Sequence, residues 1–430
     1  MKKYFSHLSL AISITLLVYV FYKSEVFWQG SIRHYYTFFY FISIIFIILS
    51  ILSFFLREKT KNFLFNNLIK IILVVYLIEG LLIFYPNNFS RENTYGFLKK
   101  KLKENNKIFL SIEPDSFIKE KNIEIYPLSG ISNAETIHCK SLLNYNSYTS
   151  DRFGFNNPNS VWEENEIEFL IFGDQVAHGY CVNRPDDIAS QLRLLSGKGV
   201  LSLGYSGNEM LMDFAALKEF SKSKKIKKIF YLYSDDSDNN DLKNEVEHFI
   251  LKKYLSDESF SQNLILKQKK VDTMAKDRML KNLKKFEKQD RLLLEVSKFI
   301  KLNRLRAVIF SFKQENARNI YFPLNDNFKK ILVMMEDYSK SNNSEFIFVY
   351  VPNYKKYTKK NYKNKNYDEI LKIIDELDIK FVDLHKNLMT KFKDPTELYK
   401  KKFLNIYYQG IWFNKEGNRK IAEAIFGFNQ

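Results

Sequence analysis

The chain is expected to be an α/β protein, with helices that cross a membrane followed by a sheet domain carrying helices on both faces. Three observations carry this expectation. Long apolar runs crowd the first 85 residues. From about residue 167, short runs rich in β-branched and aromatic residues alternate with helix-patterned segments, the order that builds a parallel sheet. One interval between strands, about 235–344, is far longer than a crossover helix needs, so it holds an insertion.

The membrane region comes first, residues 1–88. Tyr4 to Tyr22 gives 19 residues between Lys3 and Lys23, and only His7 could carry charge. His34 to Leu56 gives 23 more between Arg33 and Arg57. A third run, about 65–85, is apolar apart from Lys70 and Glu79. Helices of about 20 residues cover the roughly 30 Å hydrocarbon core. The first run ends Val-Phe-Tyr-Lys-Ser-Glu, without the small residues of a cleavage site, so it is expected to remain as a span. Lys2, Lys3, Arg57, Lys59 and Lys61 belong on the cytoplasmic side, which sends residue 86 onward outside; Lys23 and Arg33 oppose that assignment. Glu79 is expected to reach the outer interface or to stay protonated beside a neighbouring helix, while Lys70 snorkels inward.

Residues 89–160 read as a polar connector with strand character at Ile123–Tyr126, closing on a GFNNP turn. The sheet domain is expected over 161–430. Its strands fall near 167–173, 199–204, 227–234, 345–351 and 379–383, and its helices near 186–196, 208–222, 326–341, 366–377 and 415–426. The insertion, about 243–325, is Lys/Glu-rich, with Met279, Leu283, Phe286 and Leu293 at three- and four-residue spacings. Such a stripe faces a core, caps the sheet edge, or makes a dimer or membrane contact.

The first strand of that domain runs into EFLIFGDQVAHG, residues 168–179. Gly173-Asp174 breaks the strand, and Gln175 stands where it feeds a helix. The stretch resembles block I of the SGNH/GDSL hydrolases, in which Gly-Asp-Ser presents a nucleophilic serine. GVLSLGYSGN (199–208) resembles block II, KKIFYLYSDDSDNNDL (227–242) block III, and YQGIWFNKEGNRKIAEAI (408–425) block V. SDRFGFNNPNSVW (150–162) resembles the segment ahead of block I in bacterial members tethered by several spans. The resemblance covers roughly 150–430 and implies an αβα, flavodoxin-like domain with a five-stranded parallel sheet. The bland alternative is an αβα domain that never carried a serine.

Carried over position by position, the catalytic set is degenerate. The serine is Gln175, and at the block V spacing the aspartate is Gln409 and the histidine Trp412. A carboxamide is no nucleophile and an indole accepts no proton. The oxyanion donors would be Gly207 and, without a gap, Ser237; sliding the frame gives Asn239 or Asn240. Losing the nucleophile or base of a hydrolytic triad removes about 10⁶ of the rate, leaving binding and oxyanion donors. The expected protein is a membrane-anchored, extracytoplasmic pseudoenzyme of the bacterial envelope. By the resemblance it binds an envelope glycan, an acyl-modified polysaccharide or a catalytic partner in the crevice at the strand ends. The rival is an active carbohydrate esterase or O-acyltransferase with a relocated nucleophile, Ser206, aided by Asp174 and His178 in a pocket with Asn208.

Composition narrows partners. The formal charge is +17, with lysines grouped at 222–228, 355–365 and 400–402, the middle group interleaved with Tyr354, Tyr357, Tyr362 and Tyr367. Outside a membrane such groups favour lipid headgroups or acidic glycans over nucleic acid, or are simply solvated. Cys139 and Cys181 are the two cysteines, expected as one disulfide in an oxidising compartment, with two buried thiols as the alternative. The Asp/Asn run at 234–241 faintly resembles a calcium loop, but Asp241 stands where glycine is required, so no metal or other cofactor is expected. Oligomeric state is not encoded in these patterns.

Overall fold

The computed structural model describes residues 4–30, 33–84, 108–140, 145–234, 239–287, 291–314, 324–358, 365–400 and 412–428. The chain divides into two compact units: Met1–Tyr85 with Glu295–Arg306, and Pro86–Leu294 with Ala307–Gln430.

In the first unit, helix Phe5–Phe21 continues as a π-helical turn Tyr22–Phe27, Arg33–Leu52 tightens into Ser53–Phe55, and Glu58–Phe84 forms the third helix. All three are long and apolar enough to cross a membrane. The third starts at Glu58 rather than near residue 65. Hydropathy marks where a helix turns apolar, and this one begins with a polar turn in which Lys61 pairs with Glu58 at 3.0 Å. The first two spans are stitched by hydroxyls, Ser50 Oγ lying 2.7 Å from Ser9 Oγ and 3.0 Å from Ser13 Oγ. Arg33 closes their short connection on Glu25. Glu79 is met by the later segment of the same unit. It is fully buried and accepts the backbone N–H groups of Arg304 and Leu305. Those partners lie more than 200 residues further along the chain, beyond anything the sequence of the span itself displays.

The second unit holds two sheets. β4 (Glu166–Gly173), β5 (Val200–Ser202), β6 (Lys225–Ser234), β7 (Glu345–Val351) and β8 (Lys380–Asp383) pair in parallel in the order β5-β4-β6-β7-β8. Counted within the domain this is 2-1-3-4-5, the flavodoxin-like order, with its switch point between β4 and β6. Side chains alternate across it. Leu170, Phe172, Tyr231 and Phe348 join a core on one face, where helices Met210–Ser221 and Asn327–Ser341 pack. Phe169, Ile171, Phe230 and Val349 join a core on the other, under Ile188–Ser196 and Lys415–Gly427. The two-residue period of buried strands makes both faces apolar.

β1 (Ile108–Leu110), β2 (Glu135–Lys140) and β3 (Tyr145–Thr149) form the small sheet, β1 and β2 parallel, β2 and β3 antiparallel. The stretch expected as a connector thus contributes Ile108, Phe109, Leu110 and Ile137 to the same core as the large sheet. Ile123–Tyr126 forms no strand; Ile125 and Tyr126 are buried as irregular chain, with the Tyr126 hydroxyl donating to Pro114 O at 2.8 Å. The insertion is helical, its longest helix spanning Gln268–Glu287. Val271, Ala275, Met279 and Leu283 bury one stripe of it, whereas Leu293, in the next helix, is exposed. Several surface lysines are paired, Lys227 with Glu168 and Lys228 with Glu345, which lowers the free positive field expected of the 222–228 group. Tyr354 and Tyr357 pack against Tyr399 rather than forming a free aromatic row.

Candidate functional site

β4 delivers Asp174 and Gln175 to the carboxyl edge of the sheet. Gly173 ends the strand at φ +137°, and a Cβ there would sit 2.5 Å from Leu232 O, so only glycine lets the chain turn off β4 against β6. The four-residue helix Gln175–His178 follows and stops at Gly179 in the left-handed conformation. Below it, Gly204 approaches so closely that a Cβ would lie 2.4 Å from Ala177 Cβ.

One side of this turn is tied down by half-buried Asp174 and by buried His178. Asp174 Oδ1 accepts the Gly207 N–H at 2.8 Å, so the group expected to face an oxyanion donates to a carboxylate instead. His178 is buried. Its Nδ1 accepts the Ser206 N–H at 3.1 Å, which leaves the ring proton on Nε2, 2.9 Å from the Tyr148 hydroxyl. The ring stacks on Tyr205 at 4.6 Å, and burial lowers the imidazole to about 3. With both nitrogens engaged, His178 joins Ser206 to Tyr148 as part of the framework. Ser206 is buried as well, and its Oγ faces Glu113 Oε1 at 3.4 Å, so the imagined Asp174–His178–Ser206 relay is not assembled. Asn208 is buried beside Asp213, whose carboxyl is pushed well above the ordinary range by burial first, then by Asp174 and Glu245. Glu245 in turn accepts the N–H groups of Glu209, Leu211 and Met212, satisfying the start of helix Met210–Ser221.

The other side is a side-chain pair. Trp412 Nε1 donates to Gln175 Oε1 at 2.7 Å, and both residues are half-buried. Trp412 is positioned from behind by the Tyr399–Phe413 bridge, by Lys400 N–H to Trp412 O at 3.0 Å, and by Asn414, which caps helix Lys415–Gly427 through the Gly417 N–H. A Cβ at Gly417 would lie 2.1 Å from Leu398 O, which explains a glycine in the first turn of that helix. The Tyr180 ring lies 5.2 Å from the Trp412 indole. Cys139 and Cys181 form a disulfide that ties the loop after Tyr180 to β2, and the Lys400 ammonium donates to Cys181 O. Gln409 and Ser237 lie outside the described residues, as do the side chains of Asn239 and Asn240.

Segment 150–162 supports the turn from below. Asp151 Oδ2 accepts from Asn157 Nδ2 and Trp162 Nε1, and its Oδ1 accepts the Phe153 and Phe155 N–H groups. Asn157 Oδ1 then accepts from Ser202 N–H and Arg193, while Asn156 Nδ2 donates to His178 O. Burial pushes the Asp151 carboxyl up, and these donors oppose it. Tyr148, Tyr180 and Glu113 border the site without having been expected there. They arrive from the small sheet, from the loop after Gly179 and from the stretch after β1, and no local motif marks them.

A family model described as a predicted membrane protein (DUF2101) matches residues 3–138, the three spans and the chain as far as β2. No curated protein matches. Among solved structures, a Desulfitobacterium hafniense protein described as lipolytic and of the G-D-S-L family matches at 14% identity, covering 60% of this chain and 98% of that one, with a TM-score of 0.33.

Proposed function

We propose that this is a membrane-anchored, catalytically silent protein of SGNH type that binds an acyl-modified envelope glycan at the sheet edge on the extracytoplasmic side. The observation that carries the proposal is the Trp412 Nε1–Gln175 Oε1 hydrogen bond. Two side chains that cannot attack an ester or relay a proton meet, and the sequence resemblance is what aligns them with a nucleophile and a base. Each satisfies the other, so neither is left as an unpaired polar group. The half-buried indole of Trp412 with the Tyr180 ring beside it offers an apolar, aromatic face with polar tips, suited to a sugar ring. The outward orientation is supported by the disulfide, which persists in oxidising compartments, and by the lysines before the first span and between the second and third.

The test uses the full chain in lipid nanodiscs. Aryl acetates are expected to show no turnover and a fluorophosphonate no labelling, while Trp412→Ala lowers retention on O-acetylated bacterial polysaccharide at least about tenfold, the scale of one lost aromatic anchor. Turnover abolished by Ser206→Ala would overturn the silent assignment. Retention unchanged by Trp412→Ala would remove the glycan. Gain of turnover in the triple variant Gln175→Ser, Gln409→Asp, Trp412→His would tie the positions to an esterase ancestry.

A further inference from the structure

We propose that residues 295–306 make a second, surface-lying membrane contact, clasped to the third span by the buried Glu79 carboxylate. The segment belongs to the same compact unit as the spans. It packs along one line of helix Glu58–Phe84. The Phe299 and Tyr76 rings are 5.3 Å apart, the Tyr76 hydroxyl donates to Ile300 O at 3.1 Å, and the Phe299 ring lies beside Gly80, where a Cβ would be in ordinary contact at 3.9 Å. Glu79 then closes the clasp. Its Oε1 accepts the Arg304 N–H at 3.1 Å and its Oε2 the Leu305 N–H at 2.8 Å, with the Arg304 guanidinium 3.5 Å away. These N–H groups open the helix Asn303–Gln314 and have no partner within that helix, so a carboxylate there meets both a hydrogen-bonding and a dipolar need.

The level of this clasp identifies the occupant of the segment's outer face. Glu79 stands four residues before the end of the apolar stretch at Ile83. At 1.5 Å per residue that is about 6 Å inside its end, the depth at which a surface helix sinks its apolar side between headgroups and acyl chains. Val296 and Ile300, one turn apart on helix Arg291–Ile300, are exposed at 45% and 60%. Lys298 points elsewhere and pairs with Glu295, which also holds Arg304. Lys301 and Arg306 are exposed at the polar end, where anionic headgroups would meet them. An apolar face bound to a membrane helix at that depth has the lipid boundary as its continuous neighbour.

The test is independent of the sheet-edge site. Both native cysteines are in the disulfide, so single cysteines at Val296, Ile300 and Lys298 can be labelled selectively with an environment-sensitive fluorophore in the full chain. The protein is placed in phosphatidylethanolamine/phosphatidylglycerol vesicles containing a nitroxide lipid labelled near the headgroup end of its acyl chain. V296C and I300C are expected to be quenched at least about threefold more than K298C, as one-sided immersion demands. Glu79→Ala is expected to bring that ratio close to one. Equal quenching at all three sites in the native background, strong or weak, overturns the one-sided contact, and a ratio untouched by Glu79→Ala overturns the clasp. If the Glu79 variant fails to assemble, the native-background cysteines still decide the contact.

Discussion

The two sides of the Gln175 turn differ in what holds them. Toward Gly207 and His178, several contacts converge: half-buried Asp174 accepts the Gly207 N–H, and buried His178 meets the Ser206 N–H and the Tyr148 hydroxyl. Toward Trp412, a single side-chain hydrogen bond joins two half-buried residues. The first side is built for rigidity, since a partner lost at buried His178 leaves the Ser206 N–H desolvated. The second can lose its bond to water at little cost. Two kinds of contact therefore separate within one turn, a network anchored on buried groups and a single pair open to water.

The largest expected effect tests whether the Tyr180 loop belongs to the rigid side. Cys139 and Cys181 are 42 residues apart, and removing such a cross-link costs about 4 kcal/mol in the chain-entropy account. Replacing both with serine should lower the urea midpoint accordingly. A shift equivalent to less than about 1 kcal/mol would show that the loop is held by packing alone.

The contrast itself is sharpened by a pair of substitutions. Asp174→Ala strips the acceptor from Gly207 N–H and should destabilise the full chain by about 1–2 kcal/mol, whereas Gln175→Ala should stay within about 0.5 kcal/mol. Thermal melts of the two in the same detergent decide it. Equal losses would make the Gln175–Trp412 pair a structural plug and dissolve the distinction.

The smallest effect is a pH slope. His178 falls from 6.5 to about 3 on burial, so between those values the unfolded chain binds a proton that the folded chain refuses. The stability is complete above about 6.5 and is lost as pH falls towards 3, by at most about 1.4 kcal/mol per pH unit for one group. His138, lowered by burial and then by His178 and Lys400, acts in the same direction. Asp213 acts oppositely: its raised carboxyl stays protonated in the fold, so stability declines as pH rises above the ordinary carboxylate range. His178→Asn, compared with the native chain by urea titration at several pH values, should therefore show a shallower acid loss by that single proton. An unchanged slope would mean His178 is already charged in the fold.

Much of the fold was legible because the strands are short runs rich in β-branched and aromatic residues, ending at Gly173 in β4, at Ser234 in β6 and just before Pro352 in β7; all three lie within two residues of expectation. Gln175 and Trp412 were legible as positions because the strand break and the Asn414 cap fix their local geometry. Glu113, Tyr148 and Tyr180 were not, since each reaches the site through tertiary packing that no local pattern encodes. Glu79 shows the same limit: an acid inside an apolar run announces a partner but not its address, which here is 225 residues away.

The knot around Asp151 has a consequence for where the sheet domain starts. Asn157 supplies the acceptor for Ser202 N–H in β5 and for Arg193, and Asp151 holds Asn157 and Trp162 in place. A fragment beginning at β4 would strand those donors in a dry interior, at about 1–3 kcal/mol each. The smallest self-sufficient piece of the sheet domain therefore reaches back through the segment that precedes its first strand.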